Sequence, residues 1–428
     1  MIKIMRYSKN LADKLVKSPG LNWDLETQRR VDEIIEQVRI RGDAAVLDYG
    51  QLFDGFRPSP IKVGEEEFEE AISRLDTSFL SILAQATENI KSFHKKQLRQ
   101  GFEFSPGEGI ILGQQIRPIE RVGIYVPGGT ASYPSTVLMN AIPARLAGVP
   151  ELIICTPPDS RGRVAPAILA AAKTAGVDAV YKCGGAQAIA AMAYGTESIP
   201  RVYKIVGPGN IYVATAKRRV FGQVDIDMIA GPSDVLVLAD SKAEPRLIAA
   251  DMLAQAEHDT LASAVLVCDS EKLAYEVFLE LERQLESLPR AEIAREAINA
   301  RSAIIITESM DEAVECANLI APEHLEIHMA EPFEPLDKIQ NAGSIFLGNY
   351  SPEALGDYFA GPNHTLPTMG TARFASPLSV DDFIKKSSYT YYSRDALRMA
   401  ADKIAPFARM EGLEAHARSI EARFEVDE

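Results

Sequence analysis

The sequence predicts an α/β fold: two successive parallel-sheet units with helical N- and C-terminal extensions. Three observations carry this. From about Arg121, short apolar runs alternate with helical stretches, the pattern of strands joined by crossover helices. A second series of the same kind starts near Ser233. The first hundred residues, and the stretch after Asp381, instead carry apolar residues at three-to-four spacing throughout.

Taken in order, DLETQRRVDEIIEQVRIRGDAAVLDYGQLF and EEEFEEAISRLDTSFLSILAQATENIKSFHKKQL read as amphipathic helices. RVGIYV, ELIIC and DAVYKC then read as strands, with STVLMNAIPARLAG, APAILAAAKTAG and AQAIAAMAYG as the helices that follow them. In the second series DVLVLAD, SAVLVCD, SAIIITE, HLEIHM and GSIFLG are the strands, and helices fill the intervals. The expected division is a helical extension over 1–21, one α/β domain from 22–124 plus 233–380, a second over 125–232, and a helical segment over 381–428.

A chain of 428 residues is too long for one simple core. Its formal net charge of -15 argues against a nucleic-acid partner, which calls for clustered Lys and Arg. No apolar run reaches membrane-spanning length, and the N-terminus lacks the apolar core of a signal peptide. Cys155, Cys183, Cys268 and Cys316 are widely spaced in apolar contexts, so buried free thiols are expected rather than disulfides.

Histidine is scarce, with six in the chain, so each position is informative. In DMLAQAEHD, Gln255 and His258 lie about 60° apart around a helix, whereas Glu257 projects about 100° from His258. Two ligands from one helix would therefore be Gln255 and His258; for the pair taken alone, a polar helix face with a surface histidine is the simpler reading. APEHLEIHMA alternates like a half-buried strand, with His324, Glu326 and His328 on one face. Glu323 and His324 at its start suit an acid/base couple, or an ordinary exposed strand end. GDYFAGPNHTLPT reads as an irregular loop carrying Asp357 and His364. EGLEAHARSIEARF opens an amphipathic helix with Glu411 and His416, and His94 reads as a solvated residue of a basic helical surface. VPGGT (126–130), CGGAQA (183–188) and VGPGN (206–210) are glycine-rich turns after strands, suited to a phosphate but short of any dinucleotide fingerprint.

These segments occur together. RVGIYVPGG, GGAQAIAA, KIVGPGN, AGPSDVLV, LAQAEHD, APEHLE, GDYFAGPNHTLPT and EGLEAH stand in the order found in histidinol dehydrogenases. The chain resembles that family over nearly its whole length, least in the first hundred residues. The resemblance implies two incomplete Rossmann-like domains and a zinc-containing, NAD-dependent enzyme of the last two steps of histidine biosynthesis. It would oxidise L-histidinol through the aldehyde to L-histidine with two NAD in succession. One Zn2+ per subunit would be held by Gln255, His258, Asp357 and His416. Glu323 and His324 would be the acid/base pair, His324 taking the hydroxyl proton and Glu323 activating water. Ser233, His364 and Glu411 would contact the substrate alongside His324 and the four metal ligands, and Tyr125, Gln187 and Asn210 the dinucleotide. The resemblance further implies a cytoplasmic homodimer, in which the EGLEAH segment completes the partner's site.

Three rivals remain at this stage. A related zinc and NAD dehydrogenase of another small alcohol would differ at substrate contacts such as His364 and Glu411. A zinc hydrolase would use Glu323 with the metal and give the glycine-rich turns no purpose. A structural zinc protein would pack its ligands in a short motif, unlike these.

Overall fold

The computed structural model describes residues 2–8, 24–128 and 132–425. The chain divides into two compact units. One comprises residues 1–97 and 119–383, the other 98–118 and 384–428.

The first unit holds two parallel sheets. The six-stranded sheet contains β1 (Lys3–Arg6), β9 (Asp234–Ala239), β10 (Ser263–Cys268), β11 (Ala303–Ile306), β12 (His324–His328) and β13 (Ser344–Leu347), in the order β1-β11-β10-β9-β12-β13. Its central strands are apolar runs, as a sheet covered on both faces requires. Val235, Val237, Leu266 and Ile304 pack under the helices Pro245–Ala256, Glu271–Leu285 and Ala291–Arg301. Leu236, Leu238, Val267, Ile305, Leu325 and Ile327 pack on the other face, against the helix Met310–Ile320. Strand order turns back between β9 and β12, so the start of β12 lies beside the start of β9: His324 pairs with Val235. The helix Met310–Ile320 ends on Ala321 in the left-handed region (φ 54), and Pro322 follows. Neither residue favours continued helix, so the chain breaks sharply into Glu323 and β12.

The five-stranded sheet holds β4 (Arg121–Tyr125), β5 (Glu151–Thr156), β6 (Ala179–Lys182), β7 (Lys204–Val206) and β8 (Asp225–Ile226), in the order β6-β5-β4-β7-β8. The N-terminal helices belong to this sheet's cores: Val31, Ile34 and Val46 pack with Ile153 and Ile205, and Leu83 and Ile90 with Val122 and Ile154. That departs from the grouping of 22–124 with 233–380, because periodicity shows that a helix has an apolar face but not which sheet it meets. The helical extension expected over 1–21 also differs. Lys3–Arg6 form a strand paired with β11, and residues 9–23 lie outside the described residues.

The second unit is an antiparallel sheet of β2 (Phe102–Phe104), β3 (Ile110–Pro118) and β14 (Ile384–Tyr392), with the helices Arg394–Met410 and Glu414–Glu421. The all-helical reading after Asp381 is therefore corrected. β14, IKKSSYTYY, is polar and mostly exposed, so it lacks the apolar alternation that marks a strand in sequence. This unit's own buried cluster is Ala405, Ala408 and Ala417, while Met399 (80%), Phe407 (68%) and Met410 (88%) stand exposed.

All four cysteines are buried free thiols, as expected. Among the described residues, no helix is long and apolar enough to cross a membrane.

Candidate functional site

β12 is the axis of the site. It lies between β9 and β13, and all five of its residues are buried, not half-buried as alternation suggested. Leu325 and Ile327 enter the apolar core, whereas His324, Glu326 and His328 face a buried polar seam. Ionisable groups tolerate such burial only when paired. His328 Nε2 lies 3.3 Å from Asp251 Oδ2 and 3.6 Å from Glu326 Oε2, and Glu326 Oε1 accepts the Glu353 backbone N–H at 2.7 Å. Burial alone would lower the His328 pKa, but Asp251 and Glu326 outweigh it and push it up to about 9. Its folded value thus exceeds the unfolded one, near 6.5. The stabilisation is complete below about pH 6.5 and is lost as pH rises through about 9, on the order of 3 kcal/mol in all. Thermal unfolding from pH 7 to 9.5 should show this loss of stability, and His328→Gln should flatten it. An unchanged pH slope in the variant would refute the pairing.

At the start of β12, Glu323 and Asp234 clasp each other. The Glu323 N–H donates to Asp234 Oδ1 at 2.9 Å, and the Asp234 N–H donates to Glu323 Oε2 at 3.0 Å. Burial first, then the Asp234 charge, raise the Glu323 carboxyl well above the carboxylate range, against a hydrogen bond from Ser233. Ser233 therefore sits beside the proposed base. His324 Nδ1 lies 3.1 Å from the Asp234 carbonyl oxygen. A carbonyl only accepts, so Nδ1 carries the proton and Nε2 the lone pair. Among the described residues Nε2 is buried without a partner, and burial lowers the ring to about 3. At neutral pH His324 is a neutral imidazole with an unused acceptor.

The helix Pro245–Ala256 runs back antiparallel to the strands, so its last turn returns to this edge of the sheet. Gln255 is buried there, and His258 lies in the turn just past the helix, its N–H donating to the Gln255 carbonyl at 3.2 Å. The helix Glu353–Tyr358 carries Glu353 and Asp357 one turn apart on one face. His258, Glu353 and Asp357 bring ligand atoms within 4.8 Å of one another. One end of the Gln255 amide meets both Glu353 carboxylate oxygens, at 2.6 and 2.8 Å, and is assigned as the nitrogen because two acceptors there call for N–H donors. Burial raises Asp357 to about 6. His364 Nδ1 is 3.1 Å from the Asp357 carbonyl oxygen and 3.8 Å from its carboxylate, and burial lowers its ring to about 4.

The loop bearing His364 is held by its neighbour. Asn363 is buried, donates to the Met139 carbonyl at 2.7 Å, and lies 3.4 Å from His94 Nε2. His94 is fully buried rather than solvated. It extends the stripe of Leu83, Thr87 and Ile90, while the exposed Lys95 and Lys96 supply the basic appearance.

Three sequence-implied ligands, Gln255, His258 and Asp357, thus converge with Glu323, His324, Ser233 and His364. Glu353 joins them without a signal in the sequence, because GDYFAGPNHTLPT reads as loop from residue 356 and the helix before it is too short to show a period. Glu411 and His416 belong to the second unit, where both are exposed.

On the five-stranded sheet, the glycine-rich turns follow the C-terminal ends of β4, β6 and β7, with order reversing between β4 and β7. Residues 129–131 of the VPGGT turn lie outside the described residues. The Gly185 N–H donates to the buried Tyr125 hydroxyl at 3.0 Å. Gly207 (φ 108) presses on the Tyr125 carbonyl, where a Cβ would come within 2.1 Å, so only glycine fits. Gln187 is 1% exposed, and among the described residues neither of its amide atoms has a partner. Asn210 caps the helix Ile211–Val220, its oxygen accepting from the N–H groups of Tyr212 (3.1 Å) and Val213 (3.2 Å).

A family model described as histidinol dehydrogenase matches residues 20–424. Histidinol dehydrogenase of Bacillus cereus is 55% identical over 427 residues, covering 100% of this chain and 97% of that protein. The Geobacillus kaustophilus protein of the same name is 56% identical over 403 residues, covering 94% and 95%. The crystal structure of histidinol dehydrogenase from Elizabethkingia anophelis superposes with a TM-score of 0.94 at 38% identity, covering 99% of this chain and 98% of the other. On these matches over nearly its whole length, the chain belongs to the histidinol dehydrogenase family, oxidoreductases of the last steps of histidine biosynthesis.

Proposed function

We propose that the chain oxidises L-histidinol through L-histidinaldehyde to L-histidine, using one Zn2+ per subunit and two NAD in succession. The observation that carries this is the neutral His324 with its buried, unpartnered Nε2 beside Glu323. An alcohol gives up a hydride only if its hydroxyl proton leaves as well, and a neutral imidazole takes that proton. Water then adds to the aldehyde, and Glu323 removes the proton of that water. His324 serves the resulting hydrate as it served the alcohol. Overall, the alcohol and one water yield the carboxylate, two hydrides and three protons.

The donor set suits zinc: His258 and Asp357 meet, Gln255 adjoins them, and His416 of a second copy is the fourth proposed ligand. Zinc, when bound, supplies a Lewis-acidic anchor for the imidazole and amine of histidinol. Ser233, His364 and Glu411 complete the substrate's surroundings. The orphaned Gln187 amide and the glycine cradle suit NAD, with Tyr125 and Asn210 at its margins. NAD, when bound, accepts the hydrides. The cradle also weighs against a zinc hydrolase, which has no use for it.

The proposed assembly is a cytoplasmic homodimer. The second unit buries only three alanines as its own cluster and leaves long apolar side chains uncovered, which a second copy would cover. A net charge of -15 speaks against a nucleic-acid partner.

One measurement tests the reading. Purified, zinc-replete protein given limiting L-histidinol with excess NAD should release two NADH per histidinol, read by absorbance. One NADH per histidinol would leave a simple alcohol dehydrogenase, and none would remove the dehydrogenase reading.

A further inference from the structure

Resting on the zinc site proposed above, we infer that Glu353 is a positioning residue: it grips the Gln255 amide nitrogen so that the amide oxygen is the end offered to the metal. Gln255 is by its chemistry a weak ligand. A primary amide is neutral, and a free side chain could turn either its nitrogen or its oxygen to the ion. Only the oxygen can ligate, since the nitrogen has no lone pair to give.

Glu353 removes that ambiguity. Its two carboxylate oxygens lie 2.6 and 2.8 Å from one end of the Gln255 amide. Acceptors on that side require the N–H groups there, so that end is the nitrogen and Oε1 points the other way. A carboxylate that accepts the amide protons also draws electron density toward the amide oxygen and makes it a better donor. Hydrogen bonds between buried partners are stronger than those in water, and both of these residues are buried.

Glu353 is itself fixed. Its backbone N–H donates to Glu326 Oε1 at 2.7 Å, and Glu326 is held by His328 from the same strand. The polar seam of β12 thus sets the height of Glu353, and Glu353 sets the face of Gln255. The rival role is direct ligation, since Glu353 also lies within reach of His258 and Asp357. Against it, both carboxylate oxygens are turned to the Gln255 amide, and ligation would draw Glu353 away from it.

The test is a double-mutant cycle on zinc affinity in the full-length protein. The chain is stripped of metal and titrated with zinc against a chromogenic chelator, and thermal unfolding of the metal-free forms is recorded alongside. Glu353→Ala is expected to weaken zinc binding about 10–100-fold. In a Gln255→Ala background the same change should weaken it less than about threefold, because there is no amide left to orient. Glu353→Gln keeps one acceptor and should fall between wild type and Glu353→Ala; it decides the cycle if the alanine variant does not fold. Equal weakening in both backgrounds would make Glu353 a ligand and overturn the proposal, as would unchanged affinity in both Glu353 variants. A wild-type chain that takes up no zinc would overturn the metal site itself, and this inference with it.

Discussion

Glu323→Gln is expected to slow conversion of the aldehyde to the acid by about 10²–10⁴-fold, the usual worth of a general base. Oxidation of the alcohol should stay within about tenfold of wild type. The substitution suits the question because it leaves the local frame intact: a Gln oxygen can still accept the Asp234 N–H that Glu323 Oε2 now accepts at 3.0 Å. Only the ability to take a proton is lost. Alcohol oxidation draws instead on His324, which burial holds to about 3 and so leaves neutral across the working range. The pH dependence follows from the same shifts. Glu323 is raised well above the carboxylate range, and a base must be deprotonated to act. The acid-forming half should therefore gain rate as pH climbs through that raised value, while His324 adds no limb above about pH 4. Supplying L-histidinaldehyde and L-histidinol separately and following NADH resolves the two halves. An equal loss in both would mean that Glu323 is not chiefly a water activator.

Much of this site is legible in sequence because its residues sit at places where patterns change. His324 opens a run of strict alternation after a proline, and Gln255 and His258 end an apolar helix. Their identity as a set came from resemblance, since spacing cannot join residues on β12, on the helix Pro245–Ala256 and in the loop around His364. What went unread has physical causes. Glu353 lies on a helix of only six residues, shorter than two turns, where no apolar period can register. His94 hides beside Lys95 and Lys96, although it continues the stripe of Ile90. β12 reads as half-buried in sequence because its polar face looks solvated, yet Asp251, Gln255 and Glu353 cover it. Alternation reports two faces; it does not report what each face meets.

The two sheets also use opposite edges. The glycine-rich turns follow the C-terminal ends of β4, β6 and β7, the usual place for a ligand in an open parallel sheet. The proposed catalytic pair sits where β12 begins, at the other kind of edge. Crossover helices explain how that edge acquires chemistry. Each helix returns antiparallel to its strands, so residues at its C-terminal end, such as Gln255, arrive at strand starts. Polar residues gathered there need covering, and the short helix Glu353–Tyr358 and the loop pinned by Asn363 supply the cover.

Mixing His416→Ala subunits with His324→Ala subunits is expected to return activity to two proteins that are each nearly inactive alone. In the proposed dimer, each site takes His324 from one chain and His416 from the other. A homodimer of either variant then has both sites broken. In a mixed dimer, both defects fall on one site and the other site is whole. Random exchange makes about half the dimers mixed, each with one working site of two, so about a quarter of wild-type activity should appear. The physical ground is the character of the second unit. Its buried cluster is Ala405, Ala408 and Ala417, too little to stabilise a sheet and two helices in water, while Phe407 and Met410 stand exposed beside Glu411. Apolar side chains so placed call for a second surface, and a segment held on that surface can carry His416 to it. NADH formation measured after exchange, with mixed dimers isolated through two different affinity tags, gives the answer. If isolated mixed dimers stay as inactive as the parents, each chain supplies its own His416 and the shared site is wrong.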